Sequence, residues 1–537
     1  MKKYFTRILS IALAAALALS LAACGGSPAS NSTSGAVSSG VQATPAPVPD
    51  ATGVVKEELN IGLTMLWPTL SPFQTTSNQY GTFVRPLYDR LAVIYEGEFV
   101  PQMAESWEVA EDGVTWTVKI HDNITDSQGN HITTDDLVWF TQESMNRKLK
   151  PQFNKVKEVA KVDDTTMTIV MKEPVVGMFE LVLASVYGVS EEAFKASPDE
   201  FANTTVSSGP YEVVEFVAGS HLTLKKRADY WDAENDHPAL QNNVENLTYK
   251  VIAEASQQQI ALETGNVDVF EGLTPSLVPA FEGNPAYGKL SAPSGNGWQM
   301  YFSGSEERPC GKSEDLCKAI AYAIDVNGLI TAAYEGLATP MHCGASNMLV
   351  GYNEKWDSEP YFEYDVEKAK EYLAAAGYNG EEVILRAASG GGMDRVVQVL
   401  QGYMNAVGIN CKIELQDQAL FSASRFDGSQ YDMIIVAAGG VTMTNWWGNR
   451  FDMNAYEFGD GTGRRDETLT NMIYESWTQD GYSEESIDAI HYYLMEHCYV
   501  YGLANPDVIC VYRAESGIQG APVTCQGYHD FAAAVFG

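Results

Sequence analysis

Cations are scarce in this sequence: 34 Lys and Arg stand against 70 Asp and Glu, a formal net charge of −36 over 537 residues. Phosphate backbones are held by basic surface, so nucleic acid is excluded as a partner. Metal-binding spacings are missing as well. The 8 cysteines form no C-x-x-C pair and the 8 histidines no H-x-x-x-H pair, so no motif supports a structural or catalytic metal. His121, His131, His342 and His491 are too scattered to read as a ligand cluster, and no cofactor is expected. No repeat of fixed period occurs. The apolar run at 8–23 is short for a bilayer-spanning helix, which needs about 20 apolar residues. Core material, by contrast, is plentiful. With 45% hydrophobic residues, the chain is not disordered along its length, and it has room for about three or four folding units.

The N-terminus reads as an address. Lys2, Lys3 and Arg7 precede the apolar run, which ends in small side chains at Leu21-Ala22-Ala23-Cys24-Gly25. A positive end, an apolar stretch and small residues at its close are the layout of a secretory signal peptide. The last four residues before Gly25 resemble the bacterial lipobox, whose cysteine becomes the first mature residue and carries a lipid on its sulfur. Residues 1–23 are therefore expected to be removed and Cys24 to be lipidated. Residues 24–56 follow as a Ser/Gly/Ala/Thr/Pro tether with almost no bulky apolar side chains. Cleavage removes three cations and no acid, so attachment to the outer face of the cell membrane rests on lipid rather than on basic charge.

The body carries strand patterns at 59–65, 114–120, 166–171, 222–226, 247–252, 412–415, 433–437 and 508–512. Helical patterns lie between them. Asp365 caps a run in which Val366, Ala369, Leu373 and Ala376 share a face, and Gly377 ends it. Val396, Val397, Leu400, Met404 and Val407 form another face, and 396–438 reads helix, strand, helix, strand. Its last strand is almost wholly apolar, as in α/β sheets buried on both faces. Setting Cys24 aside leaves seven cysteines, so at least one is unpaired within the chain. Cys310 and Cys317, close in sequence, are the first candidates for a disulfide, which an extracytoplasmic location permits. Cys411 and Cys498 read as small core residues, Cys498 on a helix face with Ile487 and Leu494.

At Ala104-Glu105-Ser106-Trp107-Glu108, Asp112-Gly113-Val114-Thr115-Trp116-Thr117-Val118 and Thr133-Thr134-Asp135-Asp136-Leu137-Val138-Trp139 the chain resembles the family 5 extracellular solute-binding proteins of ABC importers, the peptide/nickel-binding group. The resemblance continues at Ser208-Gly209-Pro210-Tyr211, Asp229-Tyr230-Trp231, Ala321-Tyr322-Ala323-Ile324-Asp325, Tyr364-Asp365-Val366-Glu367-Lys368-Ala369, Ala376-Gly377-Tyr378, Gly408-Ile409 and Tyr431-Asp432. Val366 stands where the family usually has proline. Order and spacing span nearly all of 57–537.

The resemblance implies an α/β, two-lobed periplasmic-binding-protein-like fold with an extra domain inserted in lobe I. Lobe I would comprise 57–84, 205–295 and 505–537, the inserted domain 85–204, and lobe II 296–504. Crossings near 295 and 504 would be the hinge. The resemblance further implies a monomeric, non-enzymatic receptor that closes over a small solute, a peptide or peptide-like one, and delivers it to importer permease subunits. Aromatic walls hold the ligand in this family, which puts Trp67, Trp298, Tyr301, Asn445, Trp446 and Trp447 forward as ligand-binding residues. Trp67 and the 445–447 group follow strands, where α/β sheets place ligands. Of the tandem pair, which cannot both face one side of a strand, Trp446 is marginally preferred.

Two departures stand out. The segment 439–445 has no acid where oligopeptide-binding members usually carry an Asp for the ligand's amino group. The loop 387–392 has no Arg where dipeptide-binding members carry one, although its glycines bring a helix N-terminus toward the cleft. An oligosaccharide or another neutral solute thus stays open as the ligand. A secreted hydrolase working with two carboxylates is a second alternative, and a surface adhesin or chaperone-like module, which needs no closing cleft, a third; Asp460-Gly461-Thr462-Gly463 reads better as a turn than as a hydrolase's acid loop.

Overall fold

A computed structural model describes residues 52–74, 81–95, 98–148, 150–347, 349–390, 392–438, 442–453, 464–478, 480–524 and 527–537. Residues 1–51, which include the expected signal segment, Cys24 and most of the expected tether, lie outside the described residues, as do 439–441 and 460–463. Among the described residues no single helix is long and apolar enough to cross a membrane.

A mixed 12-stranded sheet organises the body. Its first half holds Lys56–Leu63 between two parallel neighbours, Val244–Val251 and Val269–Glu271. His221–Lys226 and Tyr211–Val217 extend it as antiparallel strands. Leu59 and Ile61, two apart on the first strand, are both fully buried, as the alternation of a pleated strand requires. The second half sets Val383–Ala388 parallel to Cys411–Gln416 and Met433–Ala438, with Gly297–Phe302 antiparallel to the last. Helix Met393–Ala406, strand Cys411–Gln416, helix Gln418–Ser424 and strand Met433–Ala438 follow one another in the order read from 396–438.

One strand joins the halves. Val500–Arg513, 14 residues long, pairs through its first part with Gly297–Phe302 and through its second with Tyr287–Pro293 and Val269–Glu271. The strand expected at 508–512 is its end. A separate antiparallel sheet of Ala104–Val109, Thr115–Ile120, Thr166–Met171 and Val156–Asp163 carries the motif that opens the family resemblance. Helix Thr134–Arg147 packs beside this sheet, closed by a capping box between Thr133 and Asp136. Asp365 caps Val366–Ala375 by accepting from the Lys368 amide, and Gly377 follows with φ +63.

Two cysteine expectations need correcting. Cys310 and Cys317 are buried free thiols; Cys317 Sγ donates to the Cys310 carbonyl at 3.4 Å instead of bridging. Cys498 is buried but lies beyond helix Glu484–Glu496, with φ +47, so it shares no helix face with Ile487. The helix gives way to a turn before the chain enters the long strand.

Candidate functional site

Strand direction decides where a ligand can meet this sheet. In the first half, Leu63, Val251 and Glu271 close three parallel strands at one edge. In the second half, Ala388, Gln416 and Ala438 do the same. The antiparallel strand Gly297–Phe302 starts from that second edge, Gly297 standing opposite Ala438. Between the halves the chain crosses twice, at 293–297 and 504–507, and the crossings run side by side. Pro293 pairs with Asp507, Trp298 with Ala504, and the Ser294 amide donates to the Pro506 carbonyl at 2.9 Å. Ser294 Oγ adds a bond to Asn505 Oδ1 at 2.9 Å. Both halves thus present strand carboxyl ends beside a two-stranded connection, the position at which open α/β sheets receive ligands.

The six aromatic and polar residues expected to line the site separate into two sets. Trp67, four residues past the first strand, and Trp298, at the start of its strand, are half-buried and pack partly on the core. Both stay at the edge with ring surface to offer. Tyr301 does not. Residues 298 and 301 lie three apart on a strand, so they face opposite sides of the sheet. Tyr301 is 1% exposed, donates to Gln299 Oε1 at 2.7 Å, and packs its ring 5.7 Å from that of Phe451.

The tandem tryptophans also need correcting, because they stand on a helix rather than on a strand continuation. Thr442 caps Met443–Phe451 by accepting from the Asn445 amide. Trp446 and Trp447 are both buried on this helix. Trp446 Nε1 donates to the Gly344 carbonyl at 2.9 Å, and the Arg450 guanidinium covers its ring at 4.3 Å. Trp447 packs 6.2 Å from Trp356. Neither indole is a free platform. Asn445 remains half-buried, its Oδ1 accepting from Asn449 Nδ2 at 3.2 Å.

The glycine loop leads into a helix N-terminus. Gly392, at φ +80, is the N-cap of Met393–Ala406, and no side chain caps that helix. Arg395 points to other work: it is exposed and pairs with Glu335 at 3.3 Å.

A contact absent from the sequence reading brings the segment 173–183 against the second half. The Val176 amide donates to the Trp477 carbonyl at 3.0 Å, and the Lys155 ammonium lies 4.8 Å from the Trp477 ring. Gly177, at φ +78, passes so near Thr442 that a Cβ would come within 3.1 Å of its methyl, so a side chain there would be strained by the backbone and tight against Thr442. Directly after it stands helix Met178–Leu183, braced by Phe179 stacking on Trp116 at 4.0 Å. Glu180 on that helix is half-buried and near Tyr482, whose phenol pKa is raised by burial and, secondarily, by the Glu180 charge. Burial pushes the Glu180 carboxyl above the ordinary range, and no cation among the described residues offsets it. Its signal was present in the sequence: a single acid inside the apolar stretch 175–184.

Comparison with known proteins gives the family and the fold. The bacterial extracellular solute-binding proteins, family 5 Middle, match residues 98–456, more than half of the chain. Glutathione-binding protein GsiB of Shigella boydii serotype 4 is 26% identical over 361 residues, covering 65% of this chain and 67% of that one. The ABC transporter substrate-binding protein CtaP from Listeria monocytogenes superposes with a TM-score of 0.77 at 19% identity, over 90% of this chain and 99% of that one. The oligopeptide-binding protein AppA from Bacillus subtilis, solved with a nonapeptide, gives 0.70 at 16% identity over 90% and 99%.

Proposed function

The chain belongs to the family 5 bacterial extracellular solute-binding proteins, and from that premise we propose that it is a lipid-anchored receptor that closes over a short peptide or peptide-like solute. The observation that carries this reading is the paired crossing at 293–297 and 504–507, flanked by the carboxyl ends of both half-sheets. Two adjacent strands of chain joining the half-sheets are where a hinge can bend with little repacking. On this reading lobe I comprises 57–84, 205–295 and 505–537, with 85–204 inserted and lobe II at 296–504. The contact of Val176 with Trp477 then belongs to the closed state. A solute drives closure only by its preference for that state, and moving a 1:99 equilibrium to 99:1 takes a preference of roughly 10⁴.

Trp67 and Trp298 supply the ring surface for such a solute, and the N-terminus of Met393–Ala406, which has no side-chain cap, suits a carbonyl or carboxylate. Glu180 takes the place of the acid missing from 439–445 as the partner of a free amino group. The names of the relatives, a glutathione-binding protein and an oligopeptide-binding protein, favour the same ligand class. Leu21-Ala22-Ala23-Cys24 supports anchoring through Cys24 on the extracytoplasmic face, beside the permease subunits that would take up the cargo.

Thermal shift against short peptides tests the reading. A peptide at about a hundred times its dissociation constant should stabilise the protein by about 2.7 kcal/mol. Glu180→Gln should weaken peptides with free amino termini by about tenfold or more, as expected for loss of a charged hydrogen bond, and leave N-acetylated peptides unchanged. Equal weakening of both would remove Glu180 from the site. A shift produced by neutral oligosaccharides and not by peptides would replace the ligand class.

A further inference from the structure

Outside the cleft, one cluster combines three different metal-binding side chains. Glu271 ends the strand Val269–Glu271, Cys510 stands opposite it on the long strand, and His529 belongs to the C-terminal segment. Residues paired across an antiparallel ladder project to one face, so Glu271 and Cys510 point together. His529 lies beside them: Cys510 Sγ and His529 Nδ1 are 3.1 Å apart, and His529 Nδ1 and Glu271 Oε1 are 3.6 Å apart. One donor atom from each residue falls within 4.8 Å of the others. Their exposures are 4% for Glu271, 0% for Cys510 and 2% for His529.

The cluster is held in place from outside. The His529 amide donates to Glu271 Oε1 at 2.6 Å. The next residue, Asp530, is ion-paired with Arg85, and its amide donates to the Pro522 carbonyl at 2.8 Å. Yet the group is incomplete electrostatically. Glu271 Oε2 is buried without a hydrogen-bond partner, and so is the Tyr249 hydroxyl, which lies within range of the Glu271 charge. Among the described residues the one basic group paired with Glu271 is His529 itself. A buried carboxylate with an orphaned oxygen is destabilising unless a cation meets it.

We propose that Glu271, Cys510 and His529 form a structural divalent-metal site of the zinc class, tying the C-terminal segment to the central strands. Thiolate, imidazole and carboxylate are the donor set zinc takes. With zinc–sulfur and zinc–nitrogen bonds of about 2.3 and 2.0–2.1 Å, tetrahedral donors sit roughly 3.3–3.6 Å apart, close to the spacings present. One thiolate and one carboxylate neutralise the ion, so the buried group carries no net charge. Glu271 Oε2, buried without a hydrogen-bond partner, offers a second carboxylate oxygen to the shell. No spacing motif announces the site, because Cys510 and His529 are 19 residues apart and Glu271 and His529 are 258 apart.

The test uses the purified chain, unfolded in guanidinium and refolded with a chelator, with one equivalent of Zn²⁺, or with one equivalent of Co²⁺. The expected results are one bound metal per chain, a thiolate-to-cobalt charge-transfer band, and a Tm higher with Zn²⁺ than with chelator. Cys510→Ser should abolish the band, and Cys411→Ser, altering a cysteine elsewhere, should retain it. If Cys510→Ser fails to refold, the wild-type protein decides alone. Native near-ultraviolet dichroism with chelator, an unchanged Tm and no thiolate band would reduce the cluster to a hydrogen-bonded core group, as would a band that survives Cys510→Ser.

Discussion

Each half of the large sheet buries a carboxylate, and the two are treated differently. Asp432, fully buried in the second half, is saturated: it accepts from the Cys310 amide at 3.1 Å, the Ile384 amide at 2.8 Å and the Arg308 guanidinium. Glu271 in the first half accepts from one amide and leaves its other oxygen without a partner. A saturated buried acid is explained by the fold it knits together. A half-satisfied one beside a thiol and an imidazole asks for a ligand. Glu180 resembles Glu271 in this respect: burial raises its pKa and no cation among the described residues offsets it.

The largest effect should come from Asp432→Ala, which strands the Arg308 guanidinium and two backbone amides. A loss of about 3–5 kcal/mol in urea denaturation is expected; a loss under about 1 kcal/mol would break the contrast between the two acids. Asp89 offers a third, intermediate case. Gln102, Tyr230 and Trp231 donate to it at 2.8, 3.0 and 2.6 Å, but burial outweighs them and raises its pKa from 3.8 to about 7. Between those values the folded protein holds a proton that the unfolded chain has released. This group's stabilisation is therefore complete below the lower value and is lost as pH rises to the upper one, at up to about 1.4 kcal/mol per pH unit. Subtracting the profile of Asp89→Asn from that of the wild type should isolate this slope; a flat difference would contradict it.

Smaller still is Glu271→Gln. In chelator it should alter stability by no more than about 1 kcal/mol, because an amide oxygen can keep the His529 bond, while the zinc-dependent rise in Tm disappears. A large loss in chelator would place Glu271 with Asp432 as a purely structural acid. The smallest change is Lys155→Ala, which removes a cation–π contact worth about 0.5–1 kcal/mol; scattering from the unliganded protein should move slightly toward the open form.

Much of the fold was legible because it depends on local periodicity. Leu59 and Ile61 alternate, Asp365 caps its helix, and 396–438 changes period where helix gives way to strand. The site was legible only where backbone direction sufficed. Trp67 and Trp298 follow from strand ends. Tyr301 was readable and misplaced, since period two already sets it opposite Trp298. Trp446 and Trp447 depend on Thr442 starting a helix, and Thr442 lies behind a glycine pair that reads equally well as loop. Glu180 shows in the sequence as one acid in an apolar run, but the Glu271–Cys510–His529 group joins residues up to 258 apart, which no window of sequence contains.

Closure over a solute is the centre of the account, and small-angle scattering of the purified protein with and without a peptide pool measures it most directly. A smaller radius of gyration is expected with peptide present, and peptide recovered intact afterwards. An unchanged radius at saturating peptide, or a pool hydrolysed during incubation, would contradict it.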